Sequence, residues 1–367
     1  MSDTKKTTKE DLDQKRDVPF SRPATPALRQ AQTAVVGLGE MGRRIATNLA
    51  RTLQEQGHPP LLVWNRSSDK FDEFKEYAKG KGVSEDAYNI CPKLDDLVRR
   101  SNLILTSLAG EEAAKEVYDR MFSVQADHLP ERQSEADPAL RGTIFVETST
   151  IYPTAAGKIE RECAKGALRS YLAAPIFGVP RQAAKADITM AMAGDYYAKK
   201  IAAHVLCPSI CKKVMDLGSN PERAMSFKLT GNALELGFIE LISECFTLAD
   251  QTGVGSENLL ELIRNQHNSP ALVRYSERIT QNKFDATGGF TIDGGLADSQ
   301  NIRHLADHNN VPMPVIDVAH GHLITARAQG NGQMDWTALV GGERIAAGLQ
   351  PFAGKTHLEP WTEDEES

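Results

Sequence analysis

Cysteine is scarce in this chain of 367 residues. There are five, an odd number, scattered at Cys91, Cys163, Cys207, Cys211 and Cys245. This set fits reduced core thiols in a cytosolic protein better than a disulfide framework. Cys207 and Cys211 have a C-x3-C spacing, but no second pair follows, so they read as small apolar residues rather than metal ligands. Apolar runs long enough to span a bilayer are missing. The first residues lack the apolar stretch of a secretory signal, and Asp3, Glu10, Asp11, Asp13 and Asp17 speak against a mitochondrial presequence. Blocks of basic residues are absent as well, and the formal net charge is −7. Nucleic acid and anionic membrane are therefore not the expected partners.

What is present is a succession of βα units. "TAVVGLG" is a short apolar strand running into a glycine turn, and "MGRRIATNLARTLQEQG" has helical periodicity up to Gly57. "LLVWN", "NLILTSLAG" and "TIFVETS" are further strands, and "FDEFKEYAKGKG", "EAAKEVYDRMF" and "YPTAAGKIERECAKG" are helices between or after them. "QADHLPERQSEADPALRG" reads as a polar loop, and "RSYLAAPIFG", "ADITMAMAG" and "KKVMDLG" as later strands. Strands alternating with helices predict a parallel, doubly wound sheet. From about Ala224 the β pattern stops. "MSFKLTGNALELGFIELISECFTLADQ" reads as one long helix, followed by "SENLLELIRNQ", "PALVRYSERIT", "ADSQNIRHLADHN" and "PVIDVAHGHLITARAQG". The expected organisation is a polar, disordered tail over 1–30, a nucleotide-binding α/β domain over 31–221 and a connecting helix over 222–251. An all-α domain over 252–350 and a second tail over 351–367 complete it.

Gly37, Gly39 and Gly42 stand in G-x-G-x-x-G spacing after a strand and at the opening of a helix. That is the context of a dinucleotide site: a tight turn, a close backbone approach to a pyrophosphate, and close helix–strand packing. The second strand ends in Asn65, Arg66, Ser67 and Ser68, where a site for the unphosphorylated ribose carries Asp or Glu. A guanidinium and hydroxyls suit a 2′-phosphate, so NADP(H) is expected over NAD(H).

With these pieces in order, the chain from about Thr33 to Ile345 resembles the β-hydroxyacid dehydrogenases. That family includes 3-hydroxyisobutyrate dehydrogenase and, more remotely, 6-phosphogluconate dehydrogenase. "GLGEMGRRIATNL" matches the G-L-G-x-M-G signature, which adds Leu38, Glu40 and Met41 to the three glycines as cofactor contacts. "TSLAG" stands where the family has a Leu-Pro turn against the nicotinamide half, implying Leu108 and Ala109. "VETSTIYP" matches a D-x-S-T-x-x-P turn and implies that Ser149 meets substrate and Thr150 cofactor, although an N-cap serves equally for hydroxyls there. "AAPIFGVP" matches the substrate segment and implies Phe177, Gly178 and Val179. "FKLTGN" matches the K-x-x-x-N of the catalytic helix, implying Lys228 as general acid/base and Asn232 as the holder of the substrate hydroxyl or carboxylate.

The resemblance further implies a Rossmann domain, a long interdomain helix, an α-helical domain mediating a homodimer or homotetramer, and an active site between domains. The expected reaction is hydride transfer between a nicotinamide and a small hydroxy acid, aldehyde or keto acid. Lys228, Asn232 and Glu235 share one helix stripe at i, i+4 and i+7. Two departures stand out. Phe177 replaces a serine of the family pattern, which predicts a bulkier or more apolar substrate. Ala297, before Asp298, occupies the place of a late lysine. An imine reductase-like enzyme shares the fold but commonly replaces the helix lysine. A non-catalytic NADP-binding sensor or scaffold is the reading that Phe177 and Ala297 would motivate. The pairs His304/His308 and His320/His322 lack a carboxylate at diagnostic spacing, so no metal site is expected.

Overall fold

The computed structural model describes residues 17–21, 31–124, 142–207, 209–267, 269–287 and 289–352. The chain divides into two compact units between Lys228 and Leu229. The loop expected after "EAAKEVYDRMF" lies outside the described residues for the most part, as do most of both expected tails.

The first unit is built on β1 (Thr33–Val36), β2 (Leu61–Trp64), β3 (Tyr88–Ile90), β4 (Leu103–Thr106), β5 (Thr143–Glu147) and β6 (Arg169–Ala173). Between them run α1 (Glu40–Glu55), α2 (Asp69–Gly80), α3 (Leu94–Arg100), α4 (Glu111–Ser123) and α5 (Pro153–Cys163). The strand order β3-β2-β1-β4-β5-β6 is parallel throughout, the doubly wound order of dinucleotide-binding folds. Successive side chains of a strand enter opposite faces, and both faces are apolar here. Val35, Leu61, Val63, Leu105 and Val146 enter one core. Ala34, Val36, Leu62, Ile104 and Phe145 enter the other. This explains why the strands read as continuous apolar runs rather than alternating ones.

The expected parallel, doubly wound sheet is present over these six strands, and beyond β6 it gains an antiparallel strand. It continues through β7 (Ile176–Phe177), β8 (Thr189–Gly194) and β9 (Lys213–Asp216), with α6 (Pro180–Ala184) and α7 (Tyr196–Leu206) among them. β8 pairs antiparallel with both β6 and β7 and parallel with β9. Between β6 and β8 the chain forms β7 and only the short helix α6, not a full crossover helix, and β8 returns antiparallel. The five residues Asp17–Ser21 also differ from a free tail. Asp17 bridges to Lys213, and Phe20 is 5% exposed, edge-on to Tyr196 and beneath the Lys199 ammonium. The lone aromatic of a polar segment was the signal for this docking.

The helix α8 (Pro221–Gln251) starts earlier than its apolar pattern suggests, with Pro221 in the first turn, where a missing N–H costs nothing. The second unit consists of the rest of α8, then α9 (Ser256–Gln266), α10 (Pro270–Gln281), α11 (Ile292–His308), α12 (Pro314–Gln329) and α13 (Val340–Ala346). Gly295 on α11 lets Trp336 and Leu323 close over the helix backbone. α8 keeps Leu236, Ile239 and Phe246 buried but exposes Leu234, Phe238, Leu241, Cys245 and Leu248 at alternating steps of four and three residues. No described helix is long and apolar enough to cross a membrane.

Candidate active site

The carboxyl ends of β1, β2, β4 and β5 bring the glycine turn and its neighbours together. The three glycines meet different requirements. Gly37 has φ +97°, and a Cβ there would lie 2.1 Å from the Ser107 carbonyl oxygen. A Cβ at Gly42 would lie 2.0 Å from the Gly37 carbonyl oxygen. These two positions exclude side chains because backbone already fills the space. Gly39 is the opposite case: it precedes α1 with no side-chain cap, and a Cβ there meets no atom within 4 Å. The uncapped N–H groups of α1 thus open on free space, which fits the pyrophosphate of a dinucleotide.

The residues between the glycines divide similarly. Leu38 is fully buried, and its N–H donates to Asn65 Oδ1 at 2.9 Å. Asn65 Nδ2 in turn donates to the Ser67 carbonyl at 3.0 Å. Asn65 therefore ties the end of β2 to the glycine turn. Met41 packs against the first core. The Glu40 carboxylate is engaged by Arg43 and Arg44 of its own helix, which offsets negative charge at the mouth of the turn. Arg66 is exposed and paired with Glu116 of α4 at 2.9 Å. An exposed pair of this kind exchanges partners at little cost.

The turns after β4 and β5 are joined by a relay absent from the sequence reading. Glu147 Oε1 accepts the Ser149 N–H at 2.6 Å, and Ser149 Oγ accepts the Leu108 N–H at 2.7 Å. Ser149 thus spends its hydroxyl on Leu108, not on capping α5. Ala109, in the turn after β4, is exposed, and Thr150, in the turn after β5, is half-buried. Glu147 is completely buried, and burial pushes its carboxyl up to about 7 against the opposing pull of the Ser149 bonds. A pKa raised on folding means the folded chain holds that proton more tightly. The stability is complete below the unfolded value near 4.5 and is lost as pH rises through about 7. Between about pH 5 and 8 the parent chain should lose roughly 3 kcal/mol that Glu147→Gln does not, measured by urea denaturation. Equal pH slopes would show that this carboxyl ionises without penalty.

Phe177 does not enter either core. Its ring lies edge-on to Phe227, with centroids 5.4 Å apart, and the Lys228 ammonium sits 4.6 Å from its centroid. Phe177 of β7 and Lys228 of α8 stand 51 residues apart in sequence, and only the fold brings them together. Gly178 has φ +144°, and a Cβ there would press on Ile188 at 2.5 Å. Val179 opens α6, its N–H donating to Gln182 Oε1. In the second unit, Asn232 is buried and its amide donates to Asp298 Oδ2. Asp298 was visible only as the neighbour of Ala297; its contact with Asn232 was not. Among the histidines, His320 bonds to Ser299 Oγ, and the His304 and His308 rings lie 6.0 Å apart. Cys207 and Cys211 are buried, and the bond to Cys207 together with burial pushes the Cys211 thiol well up. Such a thiol is a poor metal ligand.

Residues 32–218 match the family described as the NAD binding domain of 6-phosphogluconate dehydrogenase. Residues 223–342 match that described as NAD-binding of NADP-dependent 3-hydroxyisobutyrate dehydrogenase. The chain is 28% identical over 307 residues to the uncharacterised oxidoreductase YfjR of Bacillus subtilis, covering 84% of this chain and 98% of that protein. It is 23% identical to the NADH-dependent oxidoreductase ucdB of Aspergillus ustus, covering 85% and 99%. Its fold is similar to that of Mycobacterium tuberculosis 3-hydroxyisobutyrate dehydrogenase with L-serine, at TM-score 0.67 and 20% identity, covering 86% and 99%.

Proposed function

The chain belongs to the β-hydroxyacid dehydrogenase family of NAD(P)-dependent oxidoreductases, and from that premise we propose that it is an NADP(H)-dependent reductase of a carbonyl compound, or the reverse dehydrogenase, with Lys228 as general acid/base. The observation that carries the reading is the placement of the Lys228 ammonium over Phe177, in the same unit as the glycine turn. When bound, the nicotinamide supplies or accepts the hydride. The chain's own residues do the rest. Lys228 donates a proton to the developing alkoxide and, before that, polarises the carbonyl by hydrogen bonding. The Phe177 face holds the ammonium by a cation–π contact and limits its wandering. Asn232, one turn further along α8 and braced by Asp298, holds the substrate hydroxyl or carboxylate. Gly37, Leu38, Gly39, Glu40, Met41 and Gly42 form the pyrophosphate turn. The Glu147–Ser149–Leu108 relay orders the turns on which Ala109 and Thr150 sit.

Arg66 releases Glu116 to pair with a 2′-phosphate, which favours NADP(H). Phe177 and Phe227 present an apolar wall beside Lys228, so the favoured substrate carries an apolar group near its carbonyl. The test is oxidation of NADPH and NADH with small keto acids, semialdehydes, larger apolar aldehydes and cyclic imines. The expected result is turnover of a carbonyl compound with NADPH preferred, and a fall of about tenfold or more in that preference in Arg66→Ala. An unchanged ratio in the variant overturns the cofactor assignment. Turnover of imines alone overturns the substrate class.

A further inference from the structure

In the helical unit, three side chains far apart in sequence converge. Glu240 comes from α8, His322 from α12 and Glu343 from α13. His322 Nδ1 lies 2.7 Å from Glu240 Oε1, and His322 Nε2 lies 3.7 Å from Glu343 Oε1. One potential ligand atom from each of the three falls within 4.8 Å of the other two. This is not an exposed acidic patch. Glu240 is only 2% exposed, and its second oxygen, Oε2, is buried with no hydrogen-bond partner among the described residues. A buried carboxylate oxygen without a partner is costly, and on a carboxylate whose other oxygen already faces possible ligands it calls for a cation. The backbone is shaped around the imidazole: a Cβ at Gly342 would meet the His322 ring at 2.6 Å. Glu244, one turn beyond Glu240 on α8, adds negative potential at His322 and Glu343.

We propose that Glu240, His322 and Glu343 form a binding site for a divalent first-row transition ion of the zinc class. Two carboxylates and one imidazole, with no thiolate, suit an ion of intermediate softness, and water completes its coordination. Binding replaces the hydrogen between His322 and Glu240 with the metal and releases that proton to solvent. Because the ligands come from three helices, the ion cross-links α8, α12 and α13 within the unit. No role in hydride transfer is needed for this, and none is assigned.

The test uses the full chain stripped with a chelator and titrated with zinc by calorimetry. Cobalt serves as a second probe through its visible absorption. The parent should bind one zinc per chain and melt several degrees higher with zinc than without. Glu343→Gln, which keeps the side-chain volume, should weaken binding by about tenfold or more. His322→Gln should abolish it together with the cobalt absorption. Circular dichroism and NADPH binding report whether each variant is folded; if His322→Gln is not, Glu343→Gln decides. Absence of zinc binding at micromolar concentration overturns the proposal. So does binding that is unchanged in the variants, which would place the ion elsewhere in the chain.

Discussion

Replacing Lys228 with methionine should lower kcat by roughly 10²–10⁴ while NADPH affinity and Tm stay near those of the parent. Methionine keeps most of the apolar stem of lysine, so packing along α8 changes little and the ammonium alone is removed. The size of the effect follows from the role. A general acid acts on charge that develops only in the transition state, so its loss falls on kcat rather than on substrate affinity. A merely structural lysine resting on an aromatic ring would show the reverse pattern, with a lower Tm and unaltered kcat. Steady-state kinetics with the carbonyl substrate found by the panel, together with a melting curve, distinguishes the two. Near-normal turnover in the methionine variant ends the catalytic assignment.

The glycine turn gives the second large effect, and here two neighbouring glycines should behave in opposite ways. Gly42→Ala forces a methyl group against the Gly37 carbonyl oxygen, 2.0 Å from the position its Cβ would take. Backbone cannot yield cheaply there, so a loss of about 2–3 kcal/mol of stability is expected, with NADPH binding weakened as the turn shifts. Gly39→Ala meets nothing within 4 Å in the protein. It should melt like the parent yet bind NADPH at least about tenfold more weakly, because the methyl group occupies the approach of the pyrophosphate. Thermal melting and fluorescence titration of both variants check the pair. Parent-like NADPH binding by Gly39→Ala would move the phosphates away from this turn.

Local order was readable because it depends on local rules. Apolar runs bounded by turns marked the strands, and "SENLLELIRNQ" coincides with α9, Ser256–Gln266. β3 and α7 were missed. The three residues of β3 are too few to show a period, and α7 opens on a tyrosine pair and carries a lysine pair that interrupt its apolar stripe. The antiparallel pairing of β8 was also hidden, since strand direction leaves no mark on composition. The glycine spacing, Arg66, Lys228 and Asn232 stood out in the sequence, because each carries an unusual requirement on backbone or charge at a fixed offset.

By itself the sequence determined the two-part architecture, the dinucleotide turn and the lysine-bearing helix. Burial periodicity and glycine's freedom at positive φ are properties of short segments, so they survive in one dimension. Only the tertiary structure decided which partners those residues hold. Glu147 reaches Leu108 through Ser149, Glu116 holds Arg66, Phe177 comes under Lys228, and Asp298 takes the Asn232 amide. Glu240, His322 and Glu343 converge across more than a hundred residues of chain. The physical reason is the same in each case. The energy of a buried charge or hydrogen bond depends on distance and surroundings, and these arise only when strands and helices distant in sequence pack together.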